Sequence, residues 1–251
     1  MKPHPMQRRD YFFPLLCVVF LGWFGASPQV QAQPESSQPR ASFSFQSYTP
    51  HDMRSSSFGT DLGSPHNPLY YKDEKQYRPI SARYGGVGLK HEYDGLLPFQ
   101  VFKRTVVEEE TVYLPVAQID ESQLKDAEHY LLFNLSKPGE VRFFPVAADE
   151  KTAPGGSLFL INAGATNIFA KINEDAPVEI PARKSVSIPT NLNGSFQFNL
   201  KIAAASGDNY KLTHSRLITY REPEKPIAAV LVPFTRGNKV HWELNFVRID
   251  R

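Results

Sequence analysis

The stretch spanning residues 154–189, PGGSLFLINAGATNIFAKINEDAPVEIPARKSVSIP, leaves the chain few folds to choose from. It divides into four short strand-like runs, at 157–162, 167–172, 177–180 and 185–188. The breaks are Ala163-Gly164-Ala165, Glu174-Asp175 and Ala182-Arg183-Lys184. Short, regularly spaced strands joined by turns predict an antiparallel β-sandwich rather than βαβ units.

The flanking sequence extends the pattern. Residues 129–135 (HYLLFNL) form a run apolar enough to be buried on both faces. Ser136-Lys137-Pro138-Gly139 is a turn signal, and 140–146 returns as a hairpin partner. Residues 98–102 and 110–114 read as strands, and 120–128 as a polar connection with room for one helical turn. In 195–202 the residues Phe196, Phe198, Leu200 and Ile202 alternate with Ser195, Gln197, Asn199 and Lys201. In 240–246 Val240, Trp242, Leu244 and Phe246 alternate with His241, Glu243 and Asn245. A period of two predicts sheets with one face on a core and the other in water. With 210–220 and 227–233 this makes about seven strands in roughly a hundred residues, an immunoglobulin-like size.

The polar run 148–153 ends in Pro154-Gly155-Gly156 and reads as a boundary between packed units. The expected organisation is a signal peptide at 1–32, a flexible polar tether at 33–77, a first β unit at 78–149 and a second β-sandwich unit at 150–251. The tether expectation rests on composition. Residues 33–77 are rich in Ser, Pro, Gln and His, with room for one short strand at Ser42-Phe43-Ser44-Phe45, and so little aliphatic surface does not offset the entropy of ordering.

The signal-peptide reading rests on Lys2, Arg8 and Arg9 before an apolar run at 11–26, then Val30-Gln31-Ala32 ahead of a polar segment. A spanning helix needs about 20 apolar residues, more than this run supplies. Export is therefore expected, with no stable membrane anchor after cleavage. Cleavage would remove Cys17, the single cysteine, and with it any disulfide or thiolate chemistry. Basic residues would fall from 28 to 25 and acidic residues from 26 to 25. A nucleic-acid surface needs a basic excess, so a nucleic-acid partner is not expected.

Several quoted segments together, Leu131-Leu132-Phe133, Pro154-Gly155-Gly156-Ser157 and the following LFLINAG, carry a resemblance. Arg216-Leu217, the run at 227–232 and the closing Val247-Arg248-Ile249-Asp250 belong to it too. The chain resembles a group of secreted, uncharacterised β-sandwich proteins common in verrucomicrobial-type bacteria. The likeness covers about 84–250. It implies a β-rich fold and export, and it assigns no activity and no functional residue.

Candidate chemistry is sparse. His51, His66, His91, His129, His214 and His241 show no metal-type spacing, and a blue-copper site would need a cysteine. No GxSxG occurs. Glu108-Glu109-Glu110 reads as a solubilising or edge-protecting run. Arg83-Tyr84-Gly85-Gly86-Val87-Gly88 lacks the Lys-Ser/Thr of a phosphate loop and reads as a turn. Asn134-Leu135-Ser136 and Asn193-Gly194-Ser195 fit the N-glycosylation pattern. No catalytic, cofactor or metal residue is assigned.

The ligand-stacking candidates are Tyr70, Tyr71, Tyr77 and Tyr84. The expected function is an exported, non-enzymatic envelope or extracellular binding or structural protein, with an envelope glycan or protein as partner. The alternatives are a carbohydrate-binding or carbohydrate-active sandwich, and an assembly factor pairing a partner strand at a sheet edge.

Overall fold

The computed structural model of the chain describes residues 38–50, 63, 66–74, 76–124, 127–135, 140–190, 197–206, 209–222, 224–236 and 239–251. The expected signal peptide, part of the expected tether, the Ser136–Gly139 turn signal, His51 and Asn193 lie outside these residues.

The first half contains β1 (Arg40–Thr49), β2 (Tyr70–Asp73), β3 (Gln76–Pro79), β4 (Gly86–Val87), β5 (His91–Leu96), β6 (Phe99–Val107), β7 (Glu110–Ile119), β8 (His129–Asn134) and β9 (Phe143–Ala147). The second contains β10 (Ser157–Asn162), β11 (Ile168–Ile172), β12 (Val178–Ile180), β13 (Ser185–Pro189), β14 (Gln197–Ser206), β15 (Asn209–Thr219), β16 (Ile227–Arg236) and β17 (Lys239–Val247). One 3-10 turn, Glu121–Gln123, sits in the 120–128 connection. The fold is all-β, as the strand-and-turn pattern predicts.

The two halves share one topology. In the first, β3-β2-β6-β7 makes an outer sheet, while β1, β8 and β9 make an inner sheet with β4 and β5 along the free side of β1. In the second, β12-β11-β14-β15 and β13-β10-β16-β17 repeat the arrangement strand for strand, without a counterpart of β4. Each half has one parallel pair, β1 with β8 and β10 with β16, so the sheets are not wholly antiparallel. The outer hairpins β6–β7 and β14–β15 each carry one bulge in the returning strand, at Val116 and at Thr213.

Three apolar cores separate four layers. Phe43, Phe45, Tyr71, Phe99, Val101, Tyr130 and Leu132 fill the first sandwich, and Leu158, Leu160, Ile168, Leu200, Ile202, Ala229 and Leu231 the second. Between the inner sheets lies a third core of Tyr48, Leu131, Phe133, Phe159, Ile161, Val230 and their neighbours. Successive residues of a strand point to opposite faces. β8, β10 and most of β16 are therefore buried on both faces, with apolar residues throughout their middles and polar ones only at the ends of β8 and β10. The reading of residues 129–135 as doubly buried thus agrees with the structure at β8. Gln38–Arg251 forms one compact body.

Residues 40–49 and 70–77 do not behave as a tether. β1 lies inside the first inner sheet, hydrogen-bonded on both sides, and is buried from Phe43 to Thr49. Its aromatic residues Phe43 and Phe45 enter the first core, while Ser44, Gln46 and Tyr48 face the seam between the sandwiches and are bonded there. Gln46 Nε2 donates to Gly88 O at 3.0 Å, and Gln46 Oε1 accepts from Asp250 N at 2.8 Å. Tyr48 Oη accepts from Asn245 Nδ2 at 3.0 Å.

The face of β17 expected to meet water is partly at this seam, through Asn245. Val240 and Phe246, expected inside, are 64% and 41% exposed, whereas Leu244 is buried and Trp242 packs on the core. Residues 148–156 are also packed, with Ala148 and Ala153 fully buried in the seam. Thr152 N donates to Asp149 Oδ1 at 2.9 Å and holds the crossing closed.

Candidate ligand-binding face

The outer face of the first outer sheet is built from rows of paired residues. Tyr70 pairs with Pro79 on one side and Phe102 on the other, and Phe102 pairs with Pro115. The neighbouring rows place Lys72 beside Tyr77 and Arg104 beside Tyr113. Tyr77 and Tyr113 reach across from the two edges and stack, with centroids 4.0 Å apart and planes 3° apart. Tyr70 meets Tyr113 edge-on at 5.1 Å, and Phe102 meets Tyr77 edge-on at 5.0 Å. Phe102 is 6% exposed beneath the cluster, while the three tyrosines are half-buried.

Polarity on this face is one-sided. Lys72 Nζ lies 5.8 Å from the Tyr77 ring centroid, and Arg104 is exposed. The register puts no Asp or Glu among the strand residues that share the face. Among the described residues, neither cation has a carboxylate partner, and the hydroxyls of Tyr70, Tyr77 and Tyr113 make no hydrogen bond. The result is an aromatic surface edged with donors.

Of the four sequence candidates, Tyr70 and Tyr77 belong to this cluster. Tyr71 does not. One residue along β2 it points inward, is 1% exposed, packs 5.1 Å from Phe45 and donates its hydroxyl to Glu92 O at 3.3 Å. A ring in that position is closed to a ligand. Tyr84 is half-buried at a bridge to Thr49, on the edge of the inner sheet. Sequence reading missed Tyr113, Phe102, Lys72 and Arg104, whose common face depends on the pairing of β2 with β6. The alternation Thr111, Tyr113, Pro115 in β7 was the available signal.

The other notable side chains are structural in placement. Glu108 and Glu109 occupy the two-residue β6–β7 turn with φ of 49° and 69°. Gly85 takes a φ of 64° in the turn between Arg83 and Gly86, in keeping with the turn read there. Asn134 is 1% exposed, so a glycan cannot be seated on it. Edge strand β7 carries Pro115 and a bulge, and edge strand β15 carries a bulge, Lys211 and Arg216. These features oppose addition of a further strand.

His91 stacks on Phe45 and its Nε2 accepts from Ser81 N at 2.9 Å. His241 stacks on Phe234. Among the described residues no group of three or more His, Cys, Asp or Glu is placed to hold a metal ion.

No family model matches the chain. No curated protein matches it in sequence either. The geometry of the face therefore carries the functional argument.

His129 gives the seam a pH dependence. Its Nδ1 lies 2.8 Å from Ser44 Oγ, while Nε2 is buried without a partner among the described residues. Burial, aided by Lys90 and Arg251, pushes the imidazole down to about 4 from an ordinary value of 6.5. His91 is lowered in the same way, by burial and then Arg78. The folded state prefers neutral rings, so this stability is complete above pH 6.5 and is lost as pH falls towards 4. For His129 the loss approaches about 3 kcal/mol. Urea titrations of His129→Gln across that range are expected to show a flatter pH profile than the unsubstituted chain. A profile of unchanged slope would assign the effect elsewhere.

Proposed function

We propose that the protein is an exported, non-enzymatic binding protein of the cell envelope or extracellular space, and that the outer face of its first outer sheet holds the ligand. The observation that carries this reading is the cluster of Tyr70, Tyr77 and Tyr113 over Phe102, flanked by Lys72 and Arg104, which have no carboxylate partner among the described residues. Packing over Phe102 accounts for part of this cluster, but not for the exposed part of its rings or for hydroxyls that bond nothing among the described residues. Such rings and unpaired cations are the groups that interfaces use as anchors. The signal-like segment at 1–32 supports export.

Co-sedimentation of the full chain with peptidoglycan, membrane vesicles and insoluble polysaccharides tests the reading. One fraction is expected to retain the protein, and the double substitution Tyr77→Ala, Tyr113→Ala to weaken retention by about tenfold or more. Thermal unfolding of the variant separates this from loss of fold. Retention that survives the double substitution in a folded variant, or no retention at all, would defeat the proposal.

A further inference from the structure

We infer that the outer face of the second outer sheet is a second binding surface equivalent to the first, and that each takes a strand of an acidic polysaccharide. The inference rests on the reading above for the first face and extends it to ligand class and valency.

Equivalence follows from the register. Phe102 pairs with Pro115 on the tip side of the first bulge, and Ala203 pairs with Leu212 on the tip side of the second. Tyr70 is the next-strand partner of Phe102, and Phe169 that of Ala203. Counting outwards from there, Lys72 corresponds to Lys171 and Tyr113 to Tyr210. Both halves thus carry an aromatic residue, one intervening residue and a lysine on the second strand, with a tyrosine on the returning hairpin strand.

The rings also meet alike. Tyr70 and Tyr113 are 5.1 Å apart at 75°, and Phe169 and Tyr210 are 4.7 Å apart at 86°. Tyr210 is 53% and Leu212 56% exposed, so core packing does not explain the second pair.

Charge indicates the partner. The first face has two cations and no acid among its strand residues. On the second, Lys171 pairs across the strands with Lys201, and Glu174 lies 3.0 and 3.7 Å from their amines. Glu174 is 85% exposed, a counter-ion that a ligand carboxylate can replace. Glu179 shares this face and bonds Asn167, so the second surface is the weaker anion site. Two cations per face are too few for a nucleic acid, whose binding proteins neutralise about 6–10 phosphates, or for an anionic membrane, which draws clusters of about 4–8 basic residues. They suit a short run of an acidic polysaccharide, whose carboxylates meet the cations and whose hydroxyls meet the phenols.

The faces lie at opposite ends of the four-layer stack, about 30 Å apart at ~10 Å per layer. One molecule would therefore bridge two chains.

Calorimetric titration of the full chain with oligogalacturonate at low salt tests this. Two sites of unequal affinity are expected. Tyr113→Ala and Arg104→Glu should each weaken the tighter one, and Tyr210→Ala the looser one, by about tenfold. Long polygalacturonate should turn turbid with the unsubstituted protein and stay clear with Tyr113→Ala or Tyr210→Ala. Arg104 and Tyr210 are exposed, so these changes do not act through unfolding. One site, with Tyr210→Ala silent, would overturn the second surface and leave the first standing. Equal binding of neutral xylan or duplex DNA would overturn the ligand class. So would failure to bind oligogalacturonate while an envelope fraction still retains the protein, which spares the broader reading.

Discussion

Asn162→Leu is expected to lower the unfolding free energy by about 4 kcal/mol, although leucine has the same branched outline as asparagine. Asn162 ends β10 and is fully buried. Its Nδ2 lies 2.9 Å from Thr166 O and 3.1 Å from both Ile180 O and Pro181 O, and its Oδ1 accepts from Gly164 N at 2.9 Å. One side chain thus joins the β10–β11 turn to the end of β12. Leucine would leave an amide and carbonyls without partners, each costing about 1–3 kcal/mol. The turn cannot move aside to find water, because Gly164 lies against Trp242, whose ring is 2.4 Å from where a Cβ would sit. Urea denaturation measures the effect, with Asn199→Leu on an exposed strand face as the control. A loss under about 1 kcal/mol would mean that these bonds are replaced as easily as surface ones.

Val230→Asp is expected to unfold both halves of the chain, although it lies in the second. Val230 is fully exposed to the seam core and fully hidden from water. An unpaired carboxylate there costs several kcal/mol, a large part of the 5–15 kcal/mol by which domains of ordinary size are stable. Because the seam packs as an apolar core, the first inner sheet loses its cover along with the second. Scanning calorimetry of the unsubstituted chain should show one transition with equal calorimetric and van't Hoff enthalpies. A separate, native-like transition of the first half in Val230→Asp would show that the sandwiches stand alone.

Strand-level structure was legible wherever apolar residues dominate. β10 matches its expected limits, and β8 announced its double burial through Tyr130, Leu131, Leu132 and Phe133. β1 was legible only as room for a short strand at Ser42–Phe45, because polar bonding at the seam replaces apolar burial at Ser44 and Gln46, which gives a central strand the composition of a linker. Val240 and Phe246 misled for the opposite reason, since alternation tells which residues share a face but not how far the covering sheet extends. The repeated topology left no trace as repeated sequence, because register and bulge position can be kept while side chains change. The binding face was half-legible. Tyr70 and Tyr77 stood out as aromatics in a polar stretch, but Tyr113 joins them only through pairing across β2 and β6.

The place of β1 has a consequence for the order in which the protein comes together. Its first-half neighbours lie far along the chain, with Ser44 and His129 separated by 85 residues, and its seam bonds reach further, 197 residues from Tyr48 to Asn245 and 204 from Gln46 to Asp250. Such separations put the entropy of loop closure ahead of any reward and make folding slow. During synthesis β1 emerges early; its backbone partners β5 and β8 follow within the first half, but its seam side chains wait for nearly the whole described chain. Its polar seam residues, Ser44 and Gln46, keep that waiting segment wetted until the last contacts arrive.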